Sequence, residues 1–422
     1  MTVAIAYVLI FAAAFIGWKF WRRSKEQAHD YTSLKTVTFG DESTVRANRF
    51  ASVVSIIALF AIWGAFTGSI ITPIHVPGPF KGDTKFAYTA ENAAGQKADA
   101  EVYLRVFQVG EDVALPDMPT DEAGFAKNDA IKIGAWRSGL AKPQSNDIGG
   151  EDPAYKIVAI DGKTIAPGDT VRFANGDITM TSKGSLSVKP DSGWQMEPIW
   201  LPAPESVVSR FFEIARDGYK NFTLWEHLGA SLSRVITGFV LGSIFGIPLG
   251  YAMGLSDWFR GWFDPIVEFM RPVPPLALIP LVIIWFGIGE EGKIVLLFLA
   301  ALWIMTIAAR AGVSGVRISK VHAAYSLGAS KWQILRHVIV PNSLPEIFTG
   351  ARVAMGVCWG TVVAAELVAA DRGAGMMIVN ASKFQLTDIV ILGIILIGII
   401  GYGIDILMRI AENWLVPWKG KG

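Results

Sequence analysis

Five stretches of this chain run without a single charged residue: 50–80, 235–256, 272–289, 294–309 and 389–404. Each approaches or exceeds the length that crosses a hydrocarbon core about 30 Å thick. Segments 3–20 and 353–370 complete a set of seven, and 52% of the 422 residues are hydrophobic, above the soluble range. Most of the chain therefore folds in a bilayer. The first segment lacks a basic region ahead of it, and its cations follow in "WKFWRRSK" (18–25), so it reads as a retained anchor with its N-terminus outside. The loop to Arg49 carries Arg22, Arg23, Lys25, Lys35, Arg46 and Arg49 and is placed in the cytoplasm. Counting spans onward puts 316–341 and the C-terminus there too. The one cysteine, Cys358, lies within a span, so no intrachain disulfide can form.

Net charge is +1, but the charge is uneven: residues 81–200 hold 13 Lys and Arg against 18 Asp and Glu. This external stretch between the second and third spans is patterned as strands. "EVYLRVFQ" (101–108) alternates Val102, Leu104 and Val106, and Asp161-Gly162 and Asn175-Gly176 stand where two-residue hairpins need positive φ. A small antiparallel β domain is expected over 76–200. The acidic run 110–124 lacks the spacing of a calcium loop and reads as solvated. Residues 199–218 read as an amphipathic helix at the interface before the third span.

Gly238, Gly242, Gly246, Gly250 and Gly254 recur every four residues in the third span, leaving one helical stripe as bare backbone. In lipid, such a stripe serves close helix approach; the sequence leaves open whether the partner helix belongs to the same subunit. "RPVPPLALIP" (271–280) removes four backbone donors at the start of the fourth span, and either lines a substrate path or simply opens the span. "GIGEEGKI" (287–294) follows the phosphate-loop pattern until Ile294 replaces the required Ser or Thr, and it sits between spans, so the chain does not hydrolyse ATP. No catalytic or metal-binding constellation and no nucleic-acid signature stands out.

In "VHAAYSLGASKWQILRHVIVP" (321–341), Ser330 and Gln333 form a capping-box pattern, so a short helix is expected from Lys331 to before Pro341, after a helix that Gly328 ends. Trp332, Leu335 and Val338 would line one exposed face, for a groove on a partner or for the ends of the chain's own spans.

Here the chain resembles the permeases of ABC importers. Ala323, Ala324, Gly328, Val338 and Pro341 fall at the Ala-Ala, Gly, hydrophobic and Pro positions of that family's EAA loop. Further stretches, "SLSRVITGFVLGSIFGIPLGYAMG" and "PNSLPEIFTGARVAMGVCWGTVVAAELVAADRGAG" among them, resemble the nitrate, sulfonate, taurine and bicarbonate branch. The resemblance implies an all-α polytopic bundle of about seven spans, type I permease-like, with a small β-rich periplasmic domain inserted. It divides the chain into an extra anchor and loop (1–49), the first family span (50–75), the insert (76–200) and the permease core (201–418). It implies a multi-pass subunit of the bacterial inner membrane for a small anion such as nitrate, a sulfonate, taurine or bicarbonate. Its partners would be cytoplasmic ATPases that use ATP and magnesium, a second permease copy as a homodimer, and a periplasmic binding protein; the chain itself would bind no cofactor. His322, Ala323, Ala324, Gly328, Ser330, Trp332, Leu335, Val338 and Pro341 would couple it to the ATPase. His322 stands where the family has Glu, a departure at the usual ionic contact; a histidine there either donates to a carbonyl or carboxylate or packs neutrally.

The candidates along a translocation path are Pro274, Pro275, Met355, Trp359 and Glu366. Glu366 is expensive in a span unless paired, and a structural partnership with Arg234 or Arg372 is favoured over contact with an anion that it would repel. Asp405 and Arg409 are spaced to pair along one helix face. The rival function is a membrane-anchored sensor or scaffold whose β domain binds a ligand.

Overall fold

The computed structural model describes residues 2–25, 49–119 and 124–418, in two compact units, Met1–Glu205 and Ser206–Gly422.

The first unit opens with helices α1 (Thr2–Lys25) and α2 (Arg49–Thr67). Nine strands follow: β1 (Gly82–Glu91), β2 (Lys97–Phe107), β3 (Asp129–Gly134), β4 (Gly139–Ala141), β5 (Lys156–Ile160), β6 (Lys163–Thr164), β7 (Thr170–Phe173), β8 (Gly176–Met180) and β9 (Leu186–Pro190). They form two sheets, ordered β3-β2-β1-β5-β6 and β4-β9-β8-β7. The period-two alternation sends Phe86, Tyr88, Val102, Leu104 and Val106 of one sheet and Ile178, Met180, Leu186 and Val188 of the other into a single core.

The domain is not wholly antiparallel. β3 pairs in parallel with β2, an arrangement that a two-residue hairpin cannot make. Asp161 (φ 45°) and Gly162 (φ 75°) do turn β5 into β6. Asn175-Gly176 works differently. Gly176 is needed for space rather than for positive φ, because a Cβ there would fall 2.8 Å from both the Phe173 ring and Pro190 Cα and press on the Lys189 carbonyl.

The segments that enter and leave this domain are stitched to each other and to α2. Val76 N–H donates to the Ala65 carbonyl (3.2 Å), Met196 N–H to Phe66 (2.8 Å) and Trp194 N–H to Pro77 (2.7 Å). Trp63 Nε1 donates to the Pro202 carbonyl (2.9 Å).

The second unit is helical: α3 (Pro204–Asp217), which starts at the boundary, then α4 (Leu224–Leu255), α5 (Asp257–Met270), α6 (Ile279–Phe286), α7 (Glu290–Ser314), α8 (Ile318–Ser326), α9 (Lys331–Ile334), α10 (Val340–Ala369), α11 (Ala374–Lys383) and α12 (Thr387–Leu415). Thr223 and Glu226 cap α4 reciprocally. Within this subunit the glycine stripe of α4 faces α7. A Cβ on Gly242 would lie 2.5 Å from Ala301 Cβ, on Gly246 2.8 Å from the Leu302 carbonyl and on Gly254 2.8 Å from Val313; Gly238 meets Leu297 and Gly250 meets Thr306. These contacts advance together along both helices, so α4 and α7 run parallel. Parallel neighbours require a return crossing, which residues 256–289 must make.

That return is not the straight span expected over 272–289. Pro272, Pro274 and Pro275 keep the backbone out of an α-helix until Ile279, so α6 has 8 residues. At 1.5 Å per residue it spans roughly 12 Å, well short of a bilayer core. Together with α5 it forms a pair bent by 94°. Among the described residues five helices are long and apolar enough to cross, or six if the bent pair makes one span, rather than seven; the apolar part of α1, Ile5–Trp18, is shorter.

Candidate functional site

Two groups of the residues singled out above come together in the second unit. The first is a buried charge cluster where the N-terminal parts of α4 and α7 meet the last turns of α10. Arg234 lies one four-residue step before Gly238 on the stripe, and Lys293 lies the same step before Leu297 on α7, so the register that packs glycine on leucine sets one cation beside the other. Arg234 is 3% exposed and Lys293 7%. Two like charges there require carboxylates.

Glu366, 1% exposed, is one of these. Its Oε1 accepts from Arg234 Nη1 and Ser231 Oγ, both at 2.7 Å, and its Oε2 from Gly375 N–H at 2.9 Å. Glu290 is the other. Arg234 Nε and Nη2 grip its two oxygens at 2.6 and 2.7 Å, and Lys293 Nζ donates to Oε1 at 3.1 Å. The Arg372 carbonyl accepts from Arg234 Nη1 at 2.9 Å, so Arg372 takes part through its backbone while Arg234 is the partner in charge. His227 Nδ1 accepts from Gly373 N–H (3.1 Å), and Ser231 Oγ accepts from Ala374 N–H (2.9 Å). Glu366 thus has both oxygens hydrogen-bonded within the helix core, where it is 1% exposed. The sequence reading passes over Glu290 and Lys293 within the false phosphate-loop match; their spacing of three on one helix is the signal the sequence offers, while their place beside Arg234 is decided by the fold.

The second group is the α8–α9 segment. Gly328, at φ +78°, ends the α8 turn in the left-handed conformation that glycine adopts without strain. Ser330 Oγ accepts from Gln333 N–H (3.4 Å) while Ser330 N–H donates to Gln333 Oε1 (2.8 Å). The helix does not stop before Pro341. Proline has no N–H to continue the α pattern, and the backbone widens instead into a π turn over Leu335–Ile339, where Val340 N–H reaches the Leu335 carbonyl, before continuing as α10. The exposed apolar set also differs from expectation. Trp332 is 67% exposed, but Leu335, Val338 and Pro341 are half-buried, and the other large apolar groups in the open are Leu327 at 88%, Ile318 and Tyr325. His322 and Ala323 are exposed and Ala324 is half-buried.

The remaining path candidates do not converge. Met355 and Trp359 are buried in the helix core with Val235, Leu297 and Val362, and Trp359 Nε1 donates to the Ile397 carbonyl at 3.0 Å. Pro274 is exposed and Pro275 half-buried. Asp405 pairs with Arg409 (2.6 Å) and also takes Arg352 of α10 (3.0 Å), a partner that the sequence reading missed.

Residues 228–417 match the family described as "Binding-protein-dependent transport system inner membrane component". The chain is 46% identical over 247 residues to the taurine transport system permease protein TauC of Escherichia coli, covering 57% of this chain and 90% of that protein. It is 38% identical over 227 residues to the putative aliphatic sulfonates transport permease protein SsuC of the same bacterium, covering 54% and 84%. To the bicarbonate transport system permease protein CmpB of Synechococcus elongatus it is 32% identical over 202 residues, covering 48% and 72%.

Proposed function

The chain belongs to the family of binding-protein-dependent transport system inner membrane components, and from that premise we propose that it passes a small organic sulfonate, taurine or a close analogue, across the bacterial inner membrane. It is a multi-pass permease subunit of an ABC importer, a transport component rather than an enzyme, which works with ATPase subunits and a binding protein. The sulfonate assignment follows identity, which is 46% and 38% to the taurine and sulfonate permeases against 32% to the bicarbonate permease. The relatives favour this over a sensor or scaffold.

The observation that carries the coupling assignment is that Ile318, Tyr325, Leu327 and Trp332 are all exposed on two short helices and the turn that Gly328 makes between them. A large apolar group open to water is stabilised by a partner's groove. In this reading α8 and α9 seat in the cytoplasmic ATPase, two copies of the permease form the pathway, the β domain lies outside, and ATP-driven closure moves both coupling segments together. Coupling requires the ATPase to bind the two permease conformations with different affinity. The test is reconstitution with the ATPase and binding protein in liposomes. Taurine or a short alkanesulfonate, delivered by the binding protein, should stimulate ATP hydrolysis. Stimulation by bicarbonate alone would transfer the assignment to the other branch.

A further inference from the structure

Arg234, Lys293 and Glu366 are each less than a tenth exposed, and by themselves they leave one positive charge in excess. Glu290 cancels it, and Glu290 is unlike the other three: its side chain is 56% exposed and stands in the first turn of α7. A buried cation pair is thus neutralised by a carboxylate that reaches in from the surface. The geometry of that contact is the one by which a guanidinium holds a free oxyanion, two parallel N–H···O bonds from Nε and Nη2, with an ammonium on the same carboxylate oxygen that Nη2 holds.

Glu366 cannot be exchanged in the same way. It is buried, and Ser231 and the Gly375 backbone fix it as well as Arg234. Among the described residues, Lys293 Nζ has Glu290 as its one hydrogen-bond partner, although an ammonium carries three donors. Its side chain also borders an apolar recess formed by Ile279, Val282, Ile283, Leu296 and Ala365.

We propose that Arg234 and Lys293 form an oxyanion site which Glu290 fills as a resident counterion, and that the anionic group of the solute displaces Glu290 during passage. The inference deepens the permease reading and rests on it for the identity of the anion as cargo. For an alkanesulfonate the exchange leaves the charge held on the two cations unchanged, since one monoanion replaces another. The freed Glu290 carboxylate turns to water, where it is already half exposed. Exchange of this kind gives a site that favours anions without holding them too tightly for release, because the internal carboxylate competes for the same donors.

The test uses the full-length chain in detergent and reads thermal stability against methanesulfonate, with chloride at equal ionic strength as the reference. A ligand that binds only the folded state stabilises it by RT ln(1 + [L]/Kd) and so raises its melting temperature as its concentration passes Kd. Glu290→Gln keeps the side chain's shape and removes the competing charge. It should bind methanesulfonate at least about tenfold more tightly than wild type, with a melting-temperature rise that chloride does not reproduce. Lys293→Met in the Glu290→Gln background should cancel most of that gain. Glu290→Asp, which keeps the charge on a shorter arm, provides a second variant expected between wild type and Glu290→Gln. Equal responses to methanesulfonate and chloride, or Glu290 variants no more responsive than wild type, overturn the site. Because the measurement needs no ATPase and no transport, it answers separately from the importer reading.

Discussion

Gly246→Leu tests the helix interface on which the permease core is built. At this position a single Cβ would already lie 2.8 Å from the Leu302 carbonyl oxygen, 3.0 Å from Met305 Cβ and 3.2 Å from Thr306 N. Two of those three atoms are backbone, so no rotamer change relieves them; the helices themselves have to separate. Carbon and oxygen meet comfortably at about 3.3 Å or beyond, so alanine alone demands a shift of roughly half an ångström. A gap of that size already forfeits about a quarter of each dispersion contact it opens. Overpacking costs about 1–3 kcal/mol, partly offset by the roughly 1 kcal/mol that alanine gains over glycine in helix propensity. Gly246→Ala is therefore expected to lose about 0–2 kcal/mol, and leucine, with three more carbons to place, about 3 kcal/mol or more. Gly229→Ala is the matched control on the same helix: nothing lies within 4 Å of its added Cβ, so it should be neutral or slightly stabilising. The assay is thermal unfolding of the purified chain in detergent, followed by tryptophan fluorescence. If Gly246→Leu melts with wild type while Gly229→Ala behaves as stated, the α4–α7 contact is not what holds the bundle.

Glu366→Gln removes the buried counter-charge of Arg234 and should cost roughly 3–5 kcal/mol, with Arg234→Met added in the double variant recovering much of the loss; melting temperatures of the two single variants and the double decide it. Leu327→Asp with Trp332→Asp should release the ATPase from detergent extracts while the melting temperature stays near wild type, since both side chains are exposed; a stoichiometric ATPase in pull-downs of this variant refutes the docking assignment. In the β domain, burial and then the neighbouring Asp147 charge push the Asp129 carboxyl up to about 7, and its Oδ2 has no hydrogen-bond partner among the described residues. The folded state then holds this proton more tightly than the unfolded chain does. Its contribution to stability is complete below about pH 4 and is lost as pH rises through about 7. Hydrogen exchange of the β1 and β2 amides in the full chain, corrected for intrinsic rates, should show more protection at pH 5.5 than at pH 8, and Asp129→Asn should level the two.

Periodic features were legible without coordinates because they are local. The uncharged runs, the four-residue glycine step, the alternation of Val102, Leu104 and Val106, and the Ser330–Gln333 capping box each depend on residues a few positions apart, and each folds by the geometry of one element. Pairings across the chain were not legible. Sequence spacing showed that Gly238 through Gly254 needed a close neighbour, but only the fold makes that neighbour α7 of the same subunit. The same register then carries Lys293 to Arg234, and so turns two residues of a discarded motif into parts of a charge cluster. Pro341 misled for a related reason. Proline locally removes a donor and suggests a stop, yet a π turn absorbs the loss when the residues beyond it are held in a long buried helix, as α10 is. What the sequence determined by itself was the type of the strongly periodic segments, and that much of the chain belongs in a bilayer. The tertiary structure decided which charges meet, because the cost of burying Arg234 and Lys293 is settled only by where Glu366 and Glu290 are brought, from remote parts of the chain.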